Sequence, residues 1–137
     1  MTIIGLIRHG ITDWNYEGRT QGSADISLND VGRQQAYAIA NRLSQEEKWD
    51  TLISSDLSRA IETAEIIGST IDLPINYTDK RIREIHCGEI EGTTEEERVK
   101  RWGHQWRKLG LRMETHESVF NRAKDALDGL IERHKEQ

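Results

Sequence analysis

Near the amino end, Arg8, His9 and Gly10 place a permanent cation, an imidazole and a residue without a side chain in succession. An arginine fork clamps oxyanions, a histidine serves as nucleophile or base near neutral pH, and a glycine leaves room for backbone to approach a ligand. The preceding Ile3, Ile4, Leu6 and Ile7 form an apolar run too short for a helix or a membrane span, so residues 1–10 read as a strand buried on both faces. In open α/β sheets, ligands gather beyond the carboxyl ends of the strands, which is where the triplet falls. Alone it is a weak signal, because a single histidine at a strand end is more often a structural hydrogen-bond donor than a catalyst.

The elements that must position these residues follow in order. Residues 11–27, rich in Gly, Asn, Asp and Thr, form a long connection, and long connections in compact domains tend to carry function. Asn29 is expected to cap a helix running to about Ser44, with Val31, Ala36, Ile39, Ala40 and Leu43 on its core face. Trp49 to Ser54 reads as a second strand, and Ser55-Asp56 as the cap of a helix whose stripe is Leu57, Ala60, Ile61, Ala64, Ile67 and Ile71. Leu73-Pro74 ends that helix, and Ile75 to Tyr77 is a short third strand. Strands alternating with helices predict a parallel, three-layer α/β/α sheet with right-handed crossovers, placing Arg8 and the 54–59 segment on one edge. Further on, Thr94 begins a capping box for a helix that carries Val99, Trp102 and Trp106 toward the body, as packing or as a lid. Ser118 is expected to cap a last helix bearing Val119, Phe120, Ala123, Leu127, Leu130 and Ile131.

Composition narrows the function classes. The chain has 137 residues, of which 35% are hydrophobic and 31% charged, as expected for one folded domain with a polar surface. Its net charge of -5 argues against a general nucleic-acid binder but leaves anionic small molecules open through a local arginine pocket. The single cysteine, Cys87, excludes an internal disulfide and fits a reducing compartment. No segment has the pattern of a signal peptide or a membrane span, so a cytoplasmic location and no membrane partner are expected. His86, His104, His116 and His134 lack paired-ligand spacing, so neither a metal site nor a cofactor is expected.

Five stretches taken together are far more specific than the triplet. Arg8-His-Gly-Ile-Thr-Asp-Trp-Asn15, Gln21-Gly22, Leu28-Asn-Asp-Val-Gly-Arg-Gln-Gln-Ala36, Ser54-Ser-Asp-Leu-Ser-Arg59-Ala-Ile-Glu-Thr-Ala64 and Arg83-Glu84-Ile-His-Cys-Gly-Glu-Ile-Glu-Gly92 resemble, in order and spacing, the histidine phosphatase superfamily. That superfamily contains the phosphoglycerate mutases and their broad-specificity phosphatase relatives, and the resemblance runs over about residues 3–135. It implies a phosphoglycerate mutase-like fold and a covalent phosphohistidine mechanism. His9 would be the nucleophile, Arg8 and Arg59 would hold the phosphoryl oxygens, and Glu84 would protonate the leaving oxygen and then activate water. Asn15, Gln21 and Gly22 match positions that contact phosphate or substrate in relatives. Guanidinium forks suit this chemistry, because phosphoryl transfer depends mostly on positioning and charge stabilisation. For Arg59 and Glu84 the competing readings are a surface arginine and a solvated loop charge.

One part of the family pattern has no match: the later strand ending in a Ser-His-Gly or Ala-His-Gly motif, whose histidine completes the phosphate pocket. The chain therefore reads as a single histidine phosphatase-like domain truncated at its carboxyl end, with a vacant sheet edge through which it would self-associate. The activity implied is hydrolysis of small phosphomonoesters. It is favoured over mutase chemistry because the segment from Gly92 to Glu117 is compact, whereas true mutases carry longer insertions there. A phosphate-binding pseudo-enzyme and an inactive fragment stay open as alternatives.

Overall fold

The computed structural model describes residues 2–46 and 48–134. Its regular elements are α1 (Asp13–Glu17), α2 (Asp30–Leu43), β1 (Leu52–Ser54), α3 (Ser58–Ile71), β2 (Ile75–Thr78), α4 (Glu95–Trp102) and α5 (His116–His134), with 3-10 turns at Lys80–Ile82, Gly88–Ile90 and Trp106–Leu109. β1 and β2 pair in parallel, with α3 as the crossover between them. α2 packs on α3, and α3 covers both strands. The α/β class and the parallel pairing agree with the reading from sequence.

Local chemistry accounts for most element ends. The Asn29 side chain accepts the Gly32 N–H at 2.8 Å and starts α2, as expected. Thr94 likewise accepts the Glu97 N–H at 3.2 Å and starts α4. Asp72 ends α3 in the left-handed region, just before Leu73-Pro74. On the core side, Ala36 and Ala40 of α2 and Leu57, Ala64 and Ile67 in and before α3 are all buried, and the two helices pack on each other. A second cluster joins Cys87, Ile90 and Trp106, with Val99 and Trp102 packed against it. Both tryptophans thus serve as packing.

Four expectations are corrected. Residues 2–10 form no strand, and residues 3–8 are exposed rather than buried: Ile3 is 62% and Leu6 91% exposed. A strand exists only where a neighbour supplies its ladder, and among the described residues the backbone of residues 3–9 donates to no other backbone group. Met1, also assigned to that strand, lies outside the described residues. The Ser55-Asp56 cap is replaced by Leu57, which gives no side-chain bond; Asp56 is instead taken by Arg83, and Asp25 accepts the Ser58 N–H at 2.6 Å. Finally, α5 starts at His116 rather than at Ser118, because Thr115 accepts the Ser118 N–H at 3.1 Å. Of the expected core faces, Val31, Ile39, Phe120, Leu127 and Ile131 are exposed.

Candidate active site

The first support of the site is a backbone crossing. Gly10 lies against Gly32 in the first turn of α2: a Cβ on Gly10 would sit 2.2 Å from the Gly32 carbonyl oxygen, and one on Gly32 would sit 2.1 Å from that of Ile11. Gly10 was expected to let backbone approach a ligand, but its missing side chain admits α2 instead. Ile11 is tied on both sides, donating to Gln35 Oε1 at 3.0 Å and accepting the Asn29 N–H at 3.2 Å. The Gly10 N–H donates to Thr63 Oγ1 at 3.3 Å, and that hydroxyl donates to the Arg59 carbonyl at 2.8 Å. The backbone that follows His9 is thereby docked on α3 one helical turn after Arg59, which stands at the amino end of that helix, where the dipole favours an anion.

His9 is half-buried, and its Nδ1 lies 2.5 Å from the Gly10 carbonyl oxygen. A carbonyl only accepts, so Nδ1 carries the proton, and the neutral ring presents the Nε2 lone pair. Burial lowers the His9 pKa below its ordinary 6.5; the Arg59 and Arg8 cations add to this, while the Gly10 hydrogen bond and Glu84 oppose it. The ring is therefore held toward its nucleophilic form.

Arg59 is 1% exposed. Its guanidinium donates to the Ala24 carbonyl at 2.5 Å and the Gly22 carbonyl at 2.6 Å. Two of its five donors are used in this way, which leaves three. Among the described residues no carboxylate lies within ion-pair distance of it. Burial lowers its pKa, opposed by the charges of Glu84, Asp25 and Glu91. Arg8 and Glu84 are exposed and their side chains make no hydrogen bond or ion pair among the described residues, yet both act electrostatically on His9. His9, Arg8, Arg59 and Glu84 are thus brought into one electrostatic group.

The other three predicted residues lie on the connection whose Gly22 and Ala24 carbonyls hold Arg59. Asn15 Oδ1 accepts the Thr12 N–H at 3.0 Å in the capping box of α1, and Gln21 Oε1 accepts the buried Thr12 hydroxyl. Gly22, at φ 54°, offers its carbonyl to Arg59 and packs so closely that a Cβ would lie 2.5 Å from Glu91 Oε1. Glu91 in turn accepts from the Ser23 N–H at 2.9 Å and the Cys87 N–H at 3.0 Å. Thr63 and Glu91 were not singled out from sequence, although both lie inside the quoted motifs. No group of three or more His, Cys, Asp or Glu side chains among the described residues is arranged to hold a metal ion. No helix among them is long and apolar enough to cross a membrane.

Comparison with known proteins agrees with this geometry. Residues 4–137 match the model of the histidine phosphatase superfamily (branch 1). The chain is 36% identical to phosphoglycerate mutase-like protein 4 of Arabidopsis thaliana, over 96% of this chain and 61% of that protein. Among solved structures, Bacillus stearothermophilus YhfR superposes with a TM-score of 0.83 at 35% identity, covering 94% of this chain and 67% of that one. The mycobacterial glucosyl-3-phosphoglycerate phosphatase in complex with VO3 gives 0.82 at 30% identity, covering 93% and 64%. The chain thus spans 61% of the length of that Arabidopsis relative. A match along nearly the whole chain, over a fold that brings His9 and Arg59 to one helix end, makes this protein a member of the histidine phosphatase superfamily.

Proposed function

We propose that the chain hydrolyses small phosphomonoesters through a phosphohistidine on His9. The observation that carries this is Arg59: a buried guanidinium that, among the described residues, keeps three free donors and touches no carboxylate is an anion site waiting for its charge. The Nε2 lone pair of His9 attacks phosphorus and the ester P–O bond breaks, while the Glu84 carboxyl gives its proton to the departing oxygen. Glu84, now a carboxylate, takes a proton from the attacking water; the P–N bond breaks and inorganic phosphate leaves. Arg8 and Arg59 hold the equatorial oxygens. The amide nitrogens of Asn15 and Gln21, whose oxygens are engaged with Thr12, are free to donate to the substrate. The names of the mycobacterial phosphatase and the Arabidopsis mutase-like protein support a phosphate-bearing small molecule as substrate, and the compact 92–117 segment supports hydrolysis over mutase chemistry. Cys87, a buried free thiol, suits a cytoplasmic setting.

The test is hydrolysis of p-nitrophenyl phosphate by the chain and by His9→Ala prepared identically. Turnover lost in the variant supports the reading. A folded wild-type chain that binds phosphate without turnover would replace it with the anion-binding alternative.

A second reading concerns association. The unpaired backbone and exposed side chains of Ile3, Ile4, Leu6 and Ile7 are an open template for pairing, so we infer that the chain self-associates there. Sedimentation should show oligomers at micromolar concentration that Leu6→Lys disperses; a monomer throughout removes this reading.

A further inference from the structure

Glu84 is exposed and its carboxylate makes no hydrogen bond among the described residues, in a segment without regular structure between two 3-10 turns. Nothing touching its carboxyl aims it, so its direction is set through its backbone. That backbone is held by a group far away in sequence. Arg122, in the second turn of α5, donates through Nη1 to the Arg81 and Arg83 carbonyls, both at 2.7 Å, and through Nη2 to the Glu84 carbonyl at 3.1 Å. Its remaining donors go to Glu114, from Nε at 2.8 Å and Nη2 at 2.9 Å. All five donors of the fork are therefore engaged, three on the 81–84 backbone and two on the carboxylate behind it.

Glu114 closes the clamp from the other side of Glu84. Its Oε1 accepts the His86 N–H at 3.0 Å, its own N–H donates to the His86 carbonyl at 2.8 Å, and its Oε2 accepts the Ser118 hydroxyl at 2.8 Å. Arg122 and Glu114 are both mostly buried, at 20% and 15% side-chain exposure, so this pair is not a solvated surface contact. On the opposite flank, Arg83 forks onto Asp56 at 2.5 and 2.6 Å, three residues before Arg59. Carbonyls on both sides of Glu84 are thus fixed relative to the start of α3.

We propose that Arg122, braced by Glu114, is the positioning residue for Glu84: it sets the backbone from which the carboxyl reaches the departing oxygen. The proposal rests on the assignment of Glu84 as general acid. A staple that merely joined α5 to the body would need one or two contacts to the loop, whereas this fork spends every donor on the carbonyls framing one side chain and on their brace. Misplacing a reacting group by about 1 Å costs roughly 10²-fold in rate.

The test compares kcat/KM, which reports the step that phosphorylates His9, for two substrates. p-Nitrophenyl phosphate releases an anion that needs no proton, and glycerol phosphate releases an alkoxide that does. The proteins are wild type, Glu84→Gln, Arg122→Met, Arg122→Lys and Glu114→Gln, each checked for folding by circular dichroism. Glu84→Gln should lower glycerol phosphate turnover by about 10²-fold or more and p-nitrophenyl phosphate turnover by no more than about threefold. Arg122→Met and Glu114→Gln should show the same split, with Arg122→Lys recovering part of the loss. An equal fall on both substrates, or no fall on either, in folded Arg122→Met and Glu114→Gln overturns the proposal. If Arg122→Met fails to fold, Glu114→Gln and Arg122→Lys decide alone. A Glu84→Gln variant without the split instead overturns the general-acid assignment, and this proposal with it.

Discussion

Placing a single methyl group on Gly32 should damage this protein far more than its position in an ordinary helix implies. A Cβ there would lie 2.1 Å from the Ile11 carbonyl oxygen, and ordinary contact begins at 3.4 Å, so the two segments must part by the difference, 1.3 Å. The crossing cannot open freely, because Ile11 is held by Gln35 and Asn29, and Gly10 by Thr63. Overpacking of this kind costs about 1–3 kcal/mol, against a gain of about 1 kcal/mol from replacing glycine within a helix. Gly32→Ala should therefore lose up to about 2 kcal/mol in urea unfolding. Because His9 is one residue from the displaced crossing, kcat on p-nitrophenyl phosphate should fall roughly 10²-fold. Gly129→Ala in α5 is the control: nothing lies within 4 Å of its added Cβ, so it should stabilise by about 0.5–1 kcal/mol and leave activity unchanged. A Gly32→Ala protein as stable and as active as Gly129→Ala would refute the argument that the glycine crossing sets the position of His9.

Other outcomes follow from the same packing and electrostatics. Because burial lowers the His9 pKa and attack requires the neutral ring, the acid limb of kcat/KM should have its midpoint below 6.5; a midpoint at or above 6.5 would show that the ring is not held neutral. The Arg122 guanidinium and the His86 N–H hold the Glu114 carboxyl at about 2, against an ordinary 4.5, so its stabilisation is complete above 4.5 and is lost as pH falls toward 2. The urea midpoint should therefore drop in that window, and Glu114→Gln should flatten the drop. Ile67→Ala empties a fully buried position of α3 beneath the sheet and should cost about 2–5 kcal/mol by thermal unfolding, without the leaving-group split expected at Arg122.

How much of this was legible from sequence depends on how far apart the interacting groups lie. α2 and α4 were readable because their caps are local: Asn29 reaches Gly32, and Thr94 reaches Glu97. The start of α3 misled because Ser55-Asp56 carries the residue types of a cap, while Arg83, 27 residues on, competes for the carboxylate. The start of α5 moved for a local reason, Thr115 standing one residue before the first turn and outcompeting Ser118.

The candidate site divides in the same way. Residue types at the amino end pointed to Arg8 and His9 as groups suited to phosphate, because an imidazole and an arginine fork carry that chemistry wherever they stand, while Arg59 and Glu84 were expected only through the family resemblance of the five stretches. Residues 2–10 show the limit, since their apolar composition specifies an extended chain but the ladder that makes a strand must come from another segment. Only the tertiary structure decided that Gly10 faces Gly32, that Arg59 is buried with three donors free, and that Arg122 grips the carbonyls around Glu84. Each of those contacts joins a side chain or a missing one to backbone atoms more than twenty residues away, and backbone groups are the same in every residue, so no pattern of side chains announces them.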